Sequence, residues 1–259
     1  MHFNTLLLTY EDQLASITLN RPDKRNAISY ELIDELLSAL AEVAQSSARV
    51  LMITGAGKAF CSGIDLDNLR AITKNSPEDN RKDSQAMAEL FRKIYDFPKP
   101  TIAVVNGPAI AGGCGIATLC DFTLASTEAK FGYTEVRIGF VPAIVSTFLI
   151  RQVGEKQARD LLLSGRIIDA HEAHRVGLVN EVLDHERLMP RAQEIAQLLL
   201  QNSPASLAST KRLLSMYADS DLNVQIEAAV GENATIRTTA DFREGLDAFL
   251  QKRKPKWQQ

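Results

Sequence analysis

Two glycine-bearing stretches and one carboxylate carry the chemistry legible in this chain. "GAGKAFCSGIDL" (55–66) follows the run "RVLMITG" (49–55), and "GPAIAGGCGIATLCD" (107–121) follows "TIAVVNG" (101–107). Each stretch joins a β-rich run to a predicted helix, with glycine at the junction. Backbone N–H groups at a helix start lack intrahelical partners, and the helix end adds partial positive charge. Two such N–H groups aimed at one spot form an oxyanion hole for a carbonyl oxygen gaining negative charge. The same glycines also suit tight packing, and spacing alone leaves both readings open. Neither stretch is GxGxxG or GxxxxGK[ST], which disfavours nucleotide phosphate binding of those kinds. The carboxylate is Glu135, in "AKFGYTEVRIGFVPA" (129–143), between apolar Phe131 and Val136.

Rival chemistries are weaker. Cys61 and Cys114 flank the glycine turns, but no histidine lies nearby in sequence to activate a thiol. His171 and His174 sit three apart on a predicted helix, and "HEAH" is not the HExxH metal spacing. No GxSxG elbow is present.

The elements that must position these residues follow from periodicity. "LASITLN" (14–20) reads as a strand broken by Arg21-Pro22-Asp23. Ser29 caps a helix to about Gln45, with Leu32, Ile33, Leu36, Leu37, Leu40 and Val43 on one face. Residues 49–55, 101–107 and 121–126 read as strands, the first buried on both faces. Residues 73–84, the most polar stretch, read as a mobile loop before a helix to Tyr95, stopped by Pro98 and Pro100. Beyond residue 142 the chain turns mostly helical, with an Asp169/Glu172 cap and a short strand within 176–182. Helices are expected over 186–201, 204–217 and 222–250. The rhythm is α/β, with residues 1–200 as the main body and 201–259 as a helical, oligomer-forming region.

Composition sets the bounds. A chain of 259 residues, 45% hydrophobic and 24% charged, can bury a sizeable core. The net charge of −3 gives no global pull toward nucleic acid. No apolar run approaches the ~20 residues of a membrane span. The amino-terminal "MHFNTLLLTYEDQL" lacks a basic start and resembles no targeting segment. Three cysteines without framework spacing point to a reducing compartment, so cytoplasm is the expected location. The end, "QKRKPKWQQ", has four positive charges over Lys252–Lys256, readable as a solvated tail or a phosphate-binding patch.

Taken together, "LNRPDKRNAIS", "ITGAGKAFCSGIDL", "VNGPAIAGGCGIATLCDFTLA", "AKFGYTEVRIGFVP" and "SGRIIDAHEAHRVGLVNEVL" resemble the crotonase superfamily, the enoyl-CoA hydratase/isomerase family, in order and spacing over nearly the whole chain. At "NGPA" and "TEVRIGFVPA" the chain is also similar to bacterial methylglutaconyl-CoA hydratase-like members. The resemblance implies a spiral of β-β-α turns with a C-terminal helical trimerisation region. It implies a homotrimer or dimer of trimers and an acyl-CoA thioester substrate. Coenzyme A would enter with the substrate, with no separate cofactor and no metal. It places the two oxyanion donors on the backbone N–H groups of Ser62 and Gly112, and the acid/base on Glu135. It places CoA contacts around Lys24, Arg25, Ala27, Lys58, Ser62, Gly63, Ile64, Asp65, Leu66 and Gly112. "VPAIVSTFLIRQ" (141–152) would line the acyl end, without the family's usual glycines at 143–146.

The chain departs from the family at Gly115. The best-known hydratases carry a first glutamate there, three residues after the second donor, beside the one matching Glu135. Two carboxylates divide the work of hydration; one suffices for double-bond isomerisation, and one serves hydration if addition is syn. The resemblance therefore implies hydration of a 2-enoyl-CoA, with Δ3-Δ2 isomerisation or another enolate reaction as alternatives. Asp67 is a candidate substitute acid. A catalytically inactive binding protein of the same fold is the reading from a different class.

Overall fold

A computed structural model describes residues 2–72 and 74–257, with the side chains of 218–220 left aside. Its elements are β1 (Leu6–Glu11), β2 (Leu14–Leu19), α1 (Tyr30–Gln45), β3 (Val50–Gly55), α2 (Leu66–Ile72), α3 (Pro77–Tyr95), β4 (Thr101–Val105), β5 (Ala109–Ile110), α4 (Gly112–Thr118), β6 (Phe122–Ser126) and β7 (Lys130–Gly132). There follow a 3₁₀ turn (Glu135–Ile138), α5 (Ala143–Ser164), β8 (Ile168–Asp169), α6 (Ala170–Arg175), β9 (Glu181–Leu183), α7 (His185–Leu200), α8 (Pro204–Ile236) and α9 (Ala240–Leu250).

The strand-strand-helix order builds a spiral. Successive turns add β2, β3, β4, β6 and β9 in parallel to one sheet, with β1 paired antiparallel to β2 at its edge. The following short strands, β5, β7 and β8, form a second sheet. A parallel bridge from Cys61 to Ala109 extends it toward the first glycine turn. Alternation explains how the long sheet is buried on both faces. Leu51, Ile53, Ala103 and Val105 face the main core. Val50, Met52, Ile102 and Val104 face the apolar side of α7, through Leu188, Ala192, Ile195 and Leu199.

Local signals account for the helix starts. Ser29 Oγ accepts from Leu32 N–H at 3.2 Å, capping α1, a contact worth ~1 kcal/mol. Asp169 accepts from Glu172 N–H at 2.8 Å and caps α6. One expectation is overturned. The polar stretch 73–84 is mostly not a loop: α3 begins at Pro77, with Ser76 Oγ accepting from Asp79 N–H. Thr73 lies outside the described residues. Polarity misled because Asn80 and Ser84 are buried against α8, which their side chains meet through hydrogen bonds. The expected separate helices 204–217 and 222–250 are instead one long α8 and a short α9, divided at 237–239.

The C-terminal helices pack on their own chain. α8 lies against α3 and α5, and α9 lies against the 3₁₀ turn that begins with Glu135. That last contact is backbone on backbone: a Cβ on Gly245 would lie 2.4 Å from the Ile138 carbonyl. Among the described residues no helix is long and apolar enough to cross a membrane.

Candidate active site

The two glycine turns meet, and hydrogen bonds lock them together. Phe60 and Cys61 N–H both donate to Pro108 C=O at 3.1 Å, and Ile110 N–H donates to Cys61 C=O at 2.9 Å. A Cβ on Gly113 would lie 2.3 Å from the Cys61 carbonyl oxygen, and one on Gly63 would lie 3.1 Å from Ala111 Cβ. Gly63 has φ +86°, a conformation glycine adopts without penalty.

Asn26 braces the first turn from beneath. Fully buried, it donates from Nδ2 to Ala56 C=O (2.9 Å) and Ala59 C=O (2.8 Å), and accepts from Arg21 N–H (2.8 Å). Arg21 donates to Ala27 C=O (2.6 Å) and pairs with Asp65 (2.8 Å). Neither Arg21 nor Asn26 was singled out from sequence, although both stand inside "LNRPDKRNAIS". Asn26→Ala strips three hydrogen bonds from a dry site and is expected to cost about 3 kcal/mol. Urea denaturation checks this, and a loss below 1 kcal/mol would remove Asn26 from that role.

The Ser62 donor expectation requires correction. Its N–H is already engaged, donating to Arg25 C=O at 3.1 Å. Two residues on, Ile64 N–H meets no protein acceptor among the described residues, because its neighbours Gly63 C=O and Asp65 N–H carry the bridge to Ile28. Gly112 N–H, at the first position of α4, is likewise unspent. Among the described residues the N–H groups of Ile64 and Gly112 each lack a protein acceptor, and both residues line a cleft of about 630 Å³.

Glu135 lines the same cleft. Only 9% exposed, it opens the 3₁₀ turn, and its Oε2 is buried without a hydrogen-bond partner. Burial pushes its carboxyl up to about 7, opposed by its own backbone N–H. The other cleft acids differ. Asp65 is spent on Arg21, which with Asp67 N–H holds its carboxyl below the usual range against the effect of burial. Asp83 is spent on Arg237, and Asp23 is exposed. Asp67, the candidate substitute acid, is 68% exposed, pairs with Lys24 and Arg70, and does not line the cleft.

The position of the absent acid is closed. A Cβ on Gly115 would lie 2.8 Å from Phe91 Cζ and 2.9 Å from Val145 Cγ1. Apolar side chains from α3 and α5 occupy the space a glutamate would need. The flanking cysteines are inert: Cys61, Cys114 and Cys120 are buried, and burial pushes each thiol up to about 12. The His174 ring bonds Val179 C=O at 2.9 Å, on the surface helix α6.

Of the expected CoA contacts, Lys24, Arg25, Ala27, Ser62, Ile64, Asp65, Leu66 and Gly112 line the cleft. Lys58 does not; it is exposed on the outside of the turn, whose carbonyl there packs against Gly107. Gly63 is the hinge behind Ile64 rather than a lining residue. Residues 141–145 of the expected acyl-end segment line it as well. The basic tail contributes Lys252, while Arg253 is taken up by Glu244 at 2.6 Å. The last two residues of that tail lie outside the described residues. Phe249, Asn233 and Arg237 also line the cleft, and none was singled out from sequence.

Comparison with known proteins places the chain in a family. The enoyl-CoA hydratase/isomerase family profile matches residues 9–259. A Thermus thermophilus protein, named as a candidate enoyl-CoA hydratase, is 43% identical over 245 residues, spanning 94% of this chain and 97% of its own. A crotonyl-CoA hydratase of Syntrophomonas wolfei is 37% identical over 261 residues, with 98% of each chain covered. The crystal structure of an enoyl-CoA hydratase/isomerase from Xanthobacter autotrophicus Py2 superposes with a TM-score of 0.90 at 30% identity, covering 97% of this chain and 98% of that one. A spiral of β-β-α turns, two interlocked glycine turns and a match over almost the full length lead to one conclusion: this chain belongs to the enoyl-CoA hydratase/isomerase family.

Proposed function

We propose that the protein hydrates 2-enoyl-CoA thioesters, with Ile64 and Gly112 N–H holding the thioester oxygen and Glu135 as the acid/base. The observation that carries this is a buried, unpartnered carboxyl poised near neutrality in the cleft that the two unspent N–H groups line. A donor pair fixed by backbone needs no reorganisation as the oxygen gains charge. Lys24, Arg25 and Lys252 supply positive charge for the CoA phosphates.

One carboxyl then does both proton transfers. As carboxylate, Glu135 takes a proton from water while the water oxygen bonds to Cβ. The C=C electrons move toward the thioester, giving an enolate held at the donor pair. Glu135, now protonated, returns its proton to Cα on the same face, so one water is added and the carboxylate is restored. A carboxyl that titrates near working pH suits both halves.

The closed space at Gly115 favours a second reading, isomerisation, in which Glu135 takes a proton at Cα of a 3-enoyl-CoA and returns it at Cγ. Mass-resolved products from 2-trans- and 3-cis-enoyl-CoAs separate the two. A product heavier by one water is expected; unchanged mass with a moved double bond means isomerase; no product from either substrate sinks both. The pH dependence of kcat/KM should rise through about pH 7 as Glu135 ionises to the base. A flat profile from pH 5 to 9 under rate-limiting chemistry would contradict that role.

A further inference from the structure

We propose that the cleft favours acyl groups carrying an oxygen acceptor, a carboxylate or hydroxyl, at the end remote from the thioester, with Asn233 reading it. This rests on the acyl-CoA reading above and goes beyond it to substrate class.

The cleft interior is apolar along Leu69, Ile72, Met87, Phe91 and Val145, yet one part of its wall is polar. There α8 supplies Asn233 and its C-cap residue Arg237, and α3 supplies Asp83. Arg237, whose side chain is only 3% exposed, pairs with Asp83 and lies over the Phe140 ring at 5.3 Å. By contrast Lys24, at the rim, is 57% exposed. The ion pair makes this patch formally neutral, so it is not built as a free anion trap.

Its donors are nevertheless incompletely used. Asn233 Oδ1 accepts from Arg237 Nη2 (2.8 Å) and Ser84 Oγ (2.7 Å). The guanidinium can only donate, so this contact fixes the amide orientation and turns Nδ2 away from Arg237. Among the described residues Nδ2 has no protein acceptor, it is not sealed from solvent, and Asn233 lines the cleft. Arg237 Nε is buried without a partner beside it. An alkyl end brought here would dry an amide donor and offer nothing in return. An oxygen would accept from it. Sites that present unpaired donors discriminate strongly against ligands lacking the acceptor.

The test uses saturated, unreactive six-carbon thioesters: hexanoyl-CoA, adipyl-CoA and 6-hydroxyhexanoyl-CoA, titrated calorimetrically. One or both oxygenated ligands should bind at least ~10-fold more tightly than hexanoyl-CoA. A gain for adipyl-CoA identifies the carboxylate, and a gain for the hydroxy ligand alone identifies the neutral acceptor. Asn233→Asp keeps the oxygen facing Arg237 and Ser84 but replaces both amide protons with a second acceptor, so the tighter binding of adipyl-CoA relative to hexanoyl-CoA should vanish or invert. Equal or tighter binding of hexanoyl-CoA by the unmodified protein overturns the proposal without any variant. So does a preference for adipyl-CoA over hexanoyl-CoA that survives Asn233→Asp. Crotonyl-CoA has no remote oxygen, so its hydration tests the reaction separately. Failure there with the preference intact defeats only the hydratase reading; failure of every CoA ester to bind defeats both.

Discussion

Glu135→Gln is expected to lower enoyl-CoA turnover by about 10²-fold or more while leaving acyl-CoA binding near its original strength. The amide keeps the size of the carboxyl but neither takes nor returns a proton. Its effect on stability has the opposite sign. A carboxyl whose folded-state pKa is raised from 4.5 to about 7 stabilises the fold fully only below 4.5. That contribution is lost as pH rises through about 7, because the buried group must then ionise without a partner for Oε2. The loss amounts to ~3 kcal/mol above pH 8. Gln carries no such cost. Urea denaturation should therefore show the variant more stable than the unmodified protein at pH 8, with the gap closing by pH 5. Activity near the original level, or a stability difference that ignores pH, would remove Glu135 from the centre of the mechanism.

Gly113→Ala should be nearly as damaging although it adds one methyl group and touches no titratable residue. That methyl would lie 2.3 Å from the Cys61 carbonyl oxygen and 2.7 Å from Cys61 Cβ. The first is backbone, held by Ile110 N–H, and cannot swing aside. The two turns must separate, and with them the Ile64 and Gly112 donors. Overpacking of this kind costs about 1–3 kcal/mol or more, and a small shift of aligned groups costs about 10²-fold in rate. Gly112→Ala is the control. Its methyl would meet Ile28 Cδ1 at 3.1 Å, the tip of a flexible side chain, and Phe91 Cζ at an ordinary 3.9 Å, so folding should be little affected. Thermal denaturation of the pair gives the comparison. If Gly113→Ala behaves like Gly112→Ala, the turns are not rigidly interlocked.

What could be read from sequence depended on whether a feature is periodic. α1 and β3 were legible because Leu32, Ile33, Leu36 and Leu40 repeat at helical spacing and Val50–Ile53 form a continuous apolar run. β5, β7 and β8 are two or three residues long and leave no pattern. The start of α3 was hidden because its polar residues answer Arg237 and Asn233, some 150 positions downstream. Glu135 and Gly112 were named through the family's motifs, and both line the cleft. Ser62 N–H was named beside them and is spent, because the direction of an N–H depends on which carbonyl it meets. Only the fold shows that Arg25 C=O takes Ser62. Gly115 announced a missing acid, but not that Phe91 and Val145 had closed its space.

The most direct measurement is a crystal structure with a saturated acyl-CoA bound. The thioester oxygen is expected within about 2.7–3.2 Å of both Ile64 N and Gly112 N, with the Glu135 carboxyl facing Cα and Cβ. An oxygen held elsewhere, or a Glu135 turned away from those carbons, would contradict it.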